Sequence, residues 1–217
     1  MQLRTPRQLW LRAFALAACL AVLGLGGGLT FHYLEARDRP ARAAHLAEAL
    51  GLSPGDVVAE IGAGGGEMAI EMARIVGPSG QVIATEMRES QLEDIRRAAR
   101  RAGLTNITVL LAGERDSNLP SRCCDAVYMQ RVYHHLTDPA AVIASIGRAL
   151  KPEGRLGVMD FEPGWIANGW VPEGVPDRGG HGVPKEMLLR EMKEYGFHSR
   201  GAIGDLGDNL YLAVFER

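Results

Sequence analysis

Glu60, Gly62, Gly64 and Gly66, with Glu86 further along, carry the first chemical signal in this chain. Val57, Val58 and Ile61 read as a short buried strand, the glycines as a turn, and Met68, Ile70, Met72 and Ala73 as the start of a helix. A strand, a glycine turn and a helix make a nucleotide-type site. Glycine reaches backbone conformations closed to other residues and lets a ligand approach without a Cβ in the way. The next apolar run, Gln81 to Glu86, ends in an acid. In a parallel α/β sheet that carboxylate sits at the carboxyl end of the neighbouring strand, where it can accept both hydroxyls of a ribose. The spacing argues against a dinucleotide. Counted from Gly62, the last glycine of a G-x-G-x-x-G turn falls at position 67, which is Glu67. A carboxylate there repels a pyrophosphate from the helix amides and dipole, whereas a cationic ligand is not repelled.

A second group of reactive side chains follows the fourth apolar run: Tyr133, His134 and His135, with His181 later in the chain. These are the candidates for a general base. Two consecutive side chains after a strand end cannot both face the same site, so one of His134 and His135 is expected to be structural.

The elements that must position these groups alternate. Ala43, Leu46 and Leu50 mark a short helix, and Leu92, Ile95, Ala99 and Ala102 one face of another, whose solvated side carries Glu93 and Arg97. Ile107 to Leu111, Asp125 to Met129, Leu156 to Phe161 and Asn209 to Phe215 read as further strands. Asp138 and Pro139 supply an N-cap and first-turn proline for a helix buried through Val142, Ile146 and Leu150, and Pro184 to Tyr195 is the last helix. Lys151 to Arg155 is expected as a turn. The Gly- and Pro-rich stretch from Glu162 to Val183, with Trp165 and Trp170, reads as a loop over the site. This alternation predicts an α/β fold, a mainly parallel doubly wound sheet covered on both faces.

At 217 residues, with 47% hydrophobic content and a formal charge of -2, the chain is long enough for one globular domain, here 41–217, and a short appendage, 1–40. It lacks the basic excess of a nucleic-acid binder. Cys19, Cys123 and Cys124 show no metal spacing, and adjacent cysteines do not normally pair, so neither a disulfide framework nor a metal is expected. In the appendage, Arg4, Arg7 and Arg12 precede a run from Ala13 to Leu34 free of charged residues. As a helix it would be about 33 Å long, enough to cross a bilayer core. A single membrane anchor is the leading reading. A cleaved signal peptide, a lipoprotein-like box at Leu16–Cys19 and an organelle transit peptide are the alternatives.

Taken together, Glu60, Gly62, Gly64 and Gly66 resemble the E/D-x-G-x-G-x-G motif of the class I S-adenosylmethionine-dependent methyltransferases. Four other motifs follow in that family's order: Glu86, the acid Glu114 after the third strand, the segment from Cys124 to Pro139, and Leu150 to Leu156. The last two are similar to the small-molecule branch that includes quinone-biosynthesis-type enzymes, with Glu153 where glycine is more usual. The resemblance implies a Rossmann-like seven-stranded sheet with an antiparallel last strand, and S-adenosylmethionine laid across the carboxyl ends of the first four strands. It puts Glu60 near the methionine ammonium, Glu86 on the ribose and Glu114 near the adenine, with Ala63, Met87 and Gln130 completing the cofactor site. Tyr133, His134 and His181, with the Trp165–Trp170 loop, are then expected around the methyl acceptor, a small molecule whose lipophilic character the apolar run suggests. A non-catalytic, membrane-tethered S-adenosylmethionine sensor is the alternative. A domain facing the cytoplasm is expected from the donor's place of synthesis, with export behind a signal peptide as the competing outcome.

Overall fold

The computed structural model describes residues 36–164, 171, 173–201, 204–207 and 209–217. The chain divides into two units, Met1–Arg42 and Ala43–Arg217. In the first, the described residues 36–42 are helical. Among the described residues no helix is long and apolar enough to cross a membrane. The run from Ala13 to Leu34, Cys19, Trp165 and Trp170 lie outside the described residues.

The second unit opens with helical residues 43–50 (α1) and continues with β1 (Val57–Ile61), α2 (Glu67–Val76), β2 (Gln81–Glu86), α3 (Glu89–Arg101) and β3 (Ile107–Leu111). It proceeds through β4 (Cys124–Gln130), a single 3-10 turn at Tyr133–His135, α4 (Pro139–Ala149) and β5 (Leu150–Phe161). It closes with α5 (Lys185–Glu194), β6 (His198–Ser199), β7 (Gly204–Gly207) and β8 (Leu210–Glu216). The sheet order is β3-β2-β1-β4-β5-β8-β6, with β7 also paired to β8. Strands β1 to β5 are mutually parallel, and β8 is antiparallel to β5. The expected seven positions are therefore present, the edge position being shared by β6 and β7, which both run antiparallel to β8. Their six residues, of which only Leu206 is apolar, are too few to show a period-two pattern, so this edge was not legible in the sequence.

Alternation along the strands divides the core into two layers. Val58, Ala126, Tyr128, Leu210 and Leu212 face α1, α2 and α3 through Leu46, Met72 and Leu92. Ala59, Val127, Met129, Tyr211 and Phe215 face α4 and α5 through Ile143, Ile146, Leu188 and Met192. Gly157 on β5 lets α1 come close, since a Cβ there would meet Leu46 and Leu50 at 3.2 Å.

Three expectations need correction. The Lys151–Arg155 turn lies inside β5, where the pairing steps from Cys124↔Leu150 to Ala126↔Arg155 and the intervening residues bulge out. On α3, Glu93 pairs with Arg96 at 3.2 Å and Arg97 with Asp94, so i,i+3 pairs stand where the spacing offered the i,i+4 pair Glu93 and Arg97. Cys123 and Cys124 are bonded to each other. A bridge between neighbours encloses no loop and contributes little of the chain-entropy stabilisation that long loops give.

Candidate functional site

The carboxyl ends of β1 to β4 enclose a cavity of about 390 Å³. Its walls include Gly62, Glu86, Met87, Glu114, Val132 and His135, one or two from each strand end. A second hollow of about 420 Å³, lined by Asp56, Asp125 and Lys151, lies where β1 and β4 begin, at the opposite edge of the sheet. There Lys151 Nζ already holds both Asp125 oxygens at 2.8 and 2.7 Å, so that hollow is walled by a satisfied ion pair. The first cavity is where an open parallel sheet binds its ligands.

Gly62, Gly64 and Gly66 all take left-handed backbone, with φ of 68°, 55° and 83°. A Cβ on Gly62 would stand 2.7 Å from Cγ2 of Val132, so the loops after β1 and β4 pack in direct contact. Gly64 has nothing within 4 Å of its missing Cβ, which leaves its face open to a ligand. Ala63 is buried and ties the loop to β2, its N–H donating to the Thr85 carbonyl at 2.9 Å. Gly66 caps α2, and Glu67 is exposed, its carboxylate folded back over Gly65.

Glu86, half-buried at the end of β2, is oriented by two backbone donors. The Gly64 N–H reaches Oε2 at 3.1 Å and the Met87 N–H reaches Oε1 at 2.8 Å. A carboxylate held this way presents its remaining lone pairs to the cavity, suited to vicinal hydroxyls. Met87 beside it is 56% exposed, an apolar side chain that a planar ring can cover. Glu60 is 3% exposed, and its Oε2 has no hydrogen-bond partner among the described residues. Burial pushes its carboxyl up to about 8; the Tyr128 hydroxyl opposes the shift, and Glu67 and Glu86 add to it. A buried acid with one oxygen left unmet is a site for a cation.

Glu114 is exposed on the cavity rim, where it accepts the Thr137 hydroxyl at 3.0 Å. Asp116, two residues on in the same polar turn, lines the cavity as well. Gln130 ends β4 opposite Met159 and does not line the cavity.

The two histidines differ in burial and in access to the cavity, although their rings lie only 4.0 Å apart. His134 is buried, its Nδ1 2.8 Å from Asp160 Oδ1, while His135 is exposed and lines the cavity. His181 comes up beside both, its ring centroid 4.7 Å from that of His134 and 5.5 Å from that of His135. Burial and its histidine neighbours lower the pKa of His135, and burial lowers that of His181, so both are neutral near pH 7. Tyr133 stands apart. Its hydroxyl donates to Glu191 Oε2 at 2.6 Å, and Arg178 lies over its ring at 5.0 Å. Burial, then the Glu191 contact, pushes that phenol far above its ordinary range, and the side chain is 0% exposed. It therefore joins β4 to α5 and does not border the cavity. Sequence reading missed Val132, Leu136 and Val142 as cavity walls. The signal for Val132 was conformational, since Arg131 takes left-handed backbone (φ 54°) to turn the chain there.

Residues 58–154 match the family described as methyltransferase domain. The ubiquinone/menaquinone biosynthesis C-methyltransferase UbiE of Marinomonas sp. (strain MWYL1) is 30% identical over 163 residues, which is 75% of this chain and 57% of the relative. That of Teredinibacter turnerae is 31% identical over 115 residues, 52% of this chain and 46% of the relative. The chain thus spans about half the length of these curated relatives. In fold it is similar to a SAM dependent methyltransferase from Aquifex aeolicus, with a TM-score of 0.69 at 22% identity, covering 80% of this chain and 88% of the other.

Proposed function

As the chain belongs to the class I S-adenosylmethionine-dependent methyltransferases, in their quinone-biosynthesis-like branch, we propose that it methylates a small, lipophilic acceptor. The observation that carries this reading is Glu86, fixed by the Gly64 and Met87 amides in the wall of a cavity that Gly62 and Met87 also line.

Bound S-adenosylmethionine supplies an activated methyl group on its sulfonium. The chain's task is to hold, align and desolvate. Glu86 accepts the ribose hydroxyls, and the buried Glu60 carboxyl, in its ionised form, takes the ammonium. Glu114 and Asp116 on the rim face the adenine side, and Met87 covers the ring. Val132, Leu136 and Val142 give the cavity an apolar wall, which suits a lipophilic acceptor and excludes water. Alignment of a nucleophile against a donor in such a site supplies several kcal/mol, about 7 or more in favourable cases. Where the acceptor must lose a proton, His135 is the imidazole that borders the cavity.

The test is the full-length protein in detergent with methyl-labelled S-adenosylmethionine and a lipid extract of membranes. Label should pass into the organic phase. Glu86→Ala should weaken S-adenosylmethionine binding by on the order of 2 kcal/mol, through loss of a charge-assisted bidentate contact. Binding without turnover on any extract would favour the sensor reading, and NAD binding with no affinity for S-adenosylmethionine would reject both.

A further inference from the structure

The ends of β4 and β5 and the segment before α5 bring three imidazoles together. His134 is the most constrained. Its side chain is 1% exposed, and Asp160, whose side chain is 0% exposed, receives it twice, through Nδ1 at 2.8 Å and through the backbone N–H at 3.2 Å. The Phe161 N–H also donates to Asp160 Oδ1, at 2.9 Å. A carboxylate only accepts, so the neutral ring of His134 carries its proton on Nδ1 and its lone pair on Nε2. That nitrogen is buried and has no hydrogen-bond partner among the described residues. An unmet buried acceptor is unfavourable unless something occupies the space in front of it.

His135 and His181 surround it. The His134 and His135 rings are 4.0 Å apart and the His134 and His181 rings 4.7 Å, and one nitrogen of each of the three lies within 4.8 Å of the others. His181 is held in place by its neighbours. The Val183 N–H donates to the Phe161 carbonyl at 2.9 Å, and the Tyr211 hydroxyl donates to the Val183 carbonyl at 2.9 Å. Gly182 passes so near Phe161 that a Cβ would stand 2.7 Å from its carbonyl oxygen. Phe161 packs its ring against His134 and His181, at 4.8 and 5.4 Å between centroids, and makes one wall of the cluster apolar.

We propose that His134, His135 and His181 form a binding site for a divalent transition metal ion of the zinc type, oriented by Asp160 and open toward the cavity on the His135 side. Zinc–imidazole bonds of about 2.0–2.1 Å in a tetrahedral site put ligating nitrogens roughly 3.4 Å apart. Closing from 4.8 Å at most asks each ligating nitrogen to move by up to about 0.8 Å, within reach of χ adjustments. The Asp160–His134 pair is the carboxylate–imidazole arrangement that fixes tautomer and raises ligand basicity at such centres. Three neutral imidazoles leave the ion's charge and one coordination position unfilled. Because His135 also walls the cavity, that position faces the acceptor. The site then selects an acceptor that carries an oxygen, such as a phenol or hydroquinone hydroxyl, next to the atom to be methylated. This choice of acceptor rests on the methyltransferase reading, whereas the metal site stands without it.

The test is titration of chelator-treated, full-length protein with Co(II), read by its visible absorption, followed by displacement with Zn(II). One equivalent should bind with the intense bands of a tetrahedral site. His134→Ala and His181→Ala should each weaken binding at least tenfold, Asp160→Asn by about 10–100-fold, and His198→Ala, on the exposed edge strand, should leave it unchanged. Zn(II) should also raise the melting temperature of the wild-type protein, which keeps the test decisive if a variant fails to fold. Absence of one-equivalent binding and of any Zn(II)-dependent melting shift, or binding indifferent to His134→Ala and His181→Ala, overturns the site. S-adenosylmethionine binding is measured separately on the same samples, so failure of the metal site and failure of the methyltransferase reading are distinguished.

Discussion

Glu60 is the residue whose chemistry depends most on what is bound beside it. In the free protein its burial holds the carboxyl near 8, so at neutral pH it is largely protonated. An ammonium in the site favours the carboxylate, and binding below that pH must release a proton. S-adenosylmethionine affinity should therefore rise roughly tenfold or more from about pH 6 to about pH 8, then fall as the ligand's own amine deprotonates near about 8. Calorimetry in two buffers of different ionisation enthalpy measures the proton, and Glu60→Gln should flatten the rise. An equally steep rise in the variant would place the ammonium elsewhere. The glycines give a second residue-scale contrast. Gly62→Ala puts a Cβ 2.7 Å from Val132, whereas Gly64→Ala meets nothing within 4 Å, though both positions are left-handed. Each carries about 1–2 kcal/mol of backbone strain, and Gly62→Ala a steric cost besides, so it should lower the melting temperature more. The motif glycines and Glu86 were legible because a local turn and a strand end determine their roles. His181 as a partner of His134 was not, since nothing in a linear spacing reports which loop returns to a strand end.

At the scale of elements, α5 is joined to the end of β4 by a buried polar clamp. Tyr133 donates to Glu191, and Arg178 Nε and Nη2 also reach Glu191, at 3.0 and 2.9 Å. Sequence reading expected Tyr133 at the acceptor pocket because it adjoins the histidines. The 3-10 turn instead rotates it into the layer facing α5, a change of direction that residue order does not encode. Tyr133→Phe should then cost about 1 kcal/mol, a fall in melting temperature of about 2–4 °C for a chain of this size, with turnover per folded molecule unchanged. A loss of kcat with no loss of stability would return Tyr133 to the chemistry. The strands and helices were legible within a residue or two wherever period-two or helical apolar patterns ran, as in β1, β2 and α4. The edge pieces β6 and β7 and the bulge in β5 were not, because the first lack a pattern and the second arises from pairing across strands.

For the whole molecule, the proposal joins a methyltransferase domain to an apolar N-terminal run, and the question is which side of a membrane the domain occupies. Arg4, Arg7 and Arg12 before the run balance Arg37, Arg39 and Arg42 after it, so the positive-inside rule is nearly neutral. We propose that the domain faces the cytoplasm, where the donor is made. A C-terminal alkaline phosphatase fusion should accordingly be inactive in intact bacteria, and strong activity would mean an exported domain. The contact of α1 with Gly157 also sets how the protein responds to being cut. Ala43, Leu46, Ala47 and Leu50 are all buried, and they cover the middle of the sheet only a few residues beyond Arg42. A protease that clips ahead of Ala43 leaves the unit Ala43–Arg217 with its sheet still covered. One that clips inside α1 strips the sheet of its cover and leaves an apolar face, so two cleavages a single helical turn apart yield a covered domain in one case and a precipitate in the other.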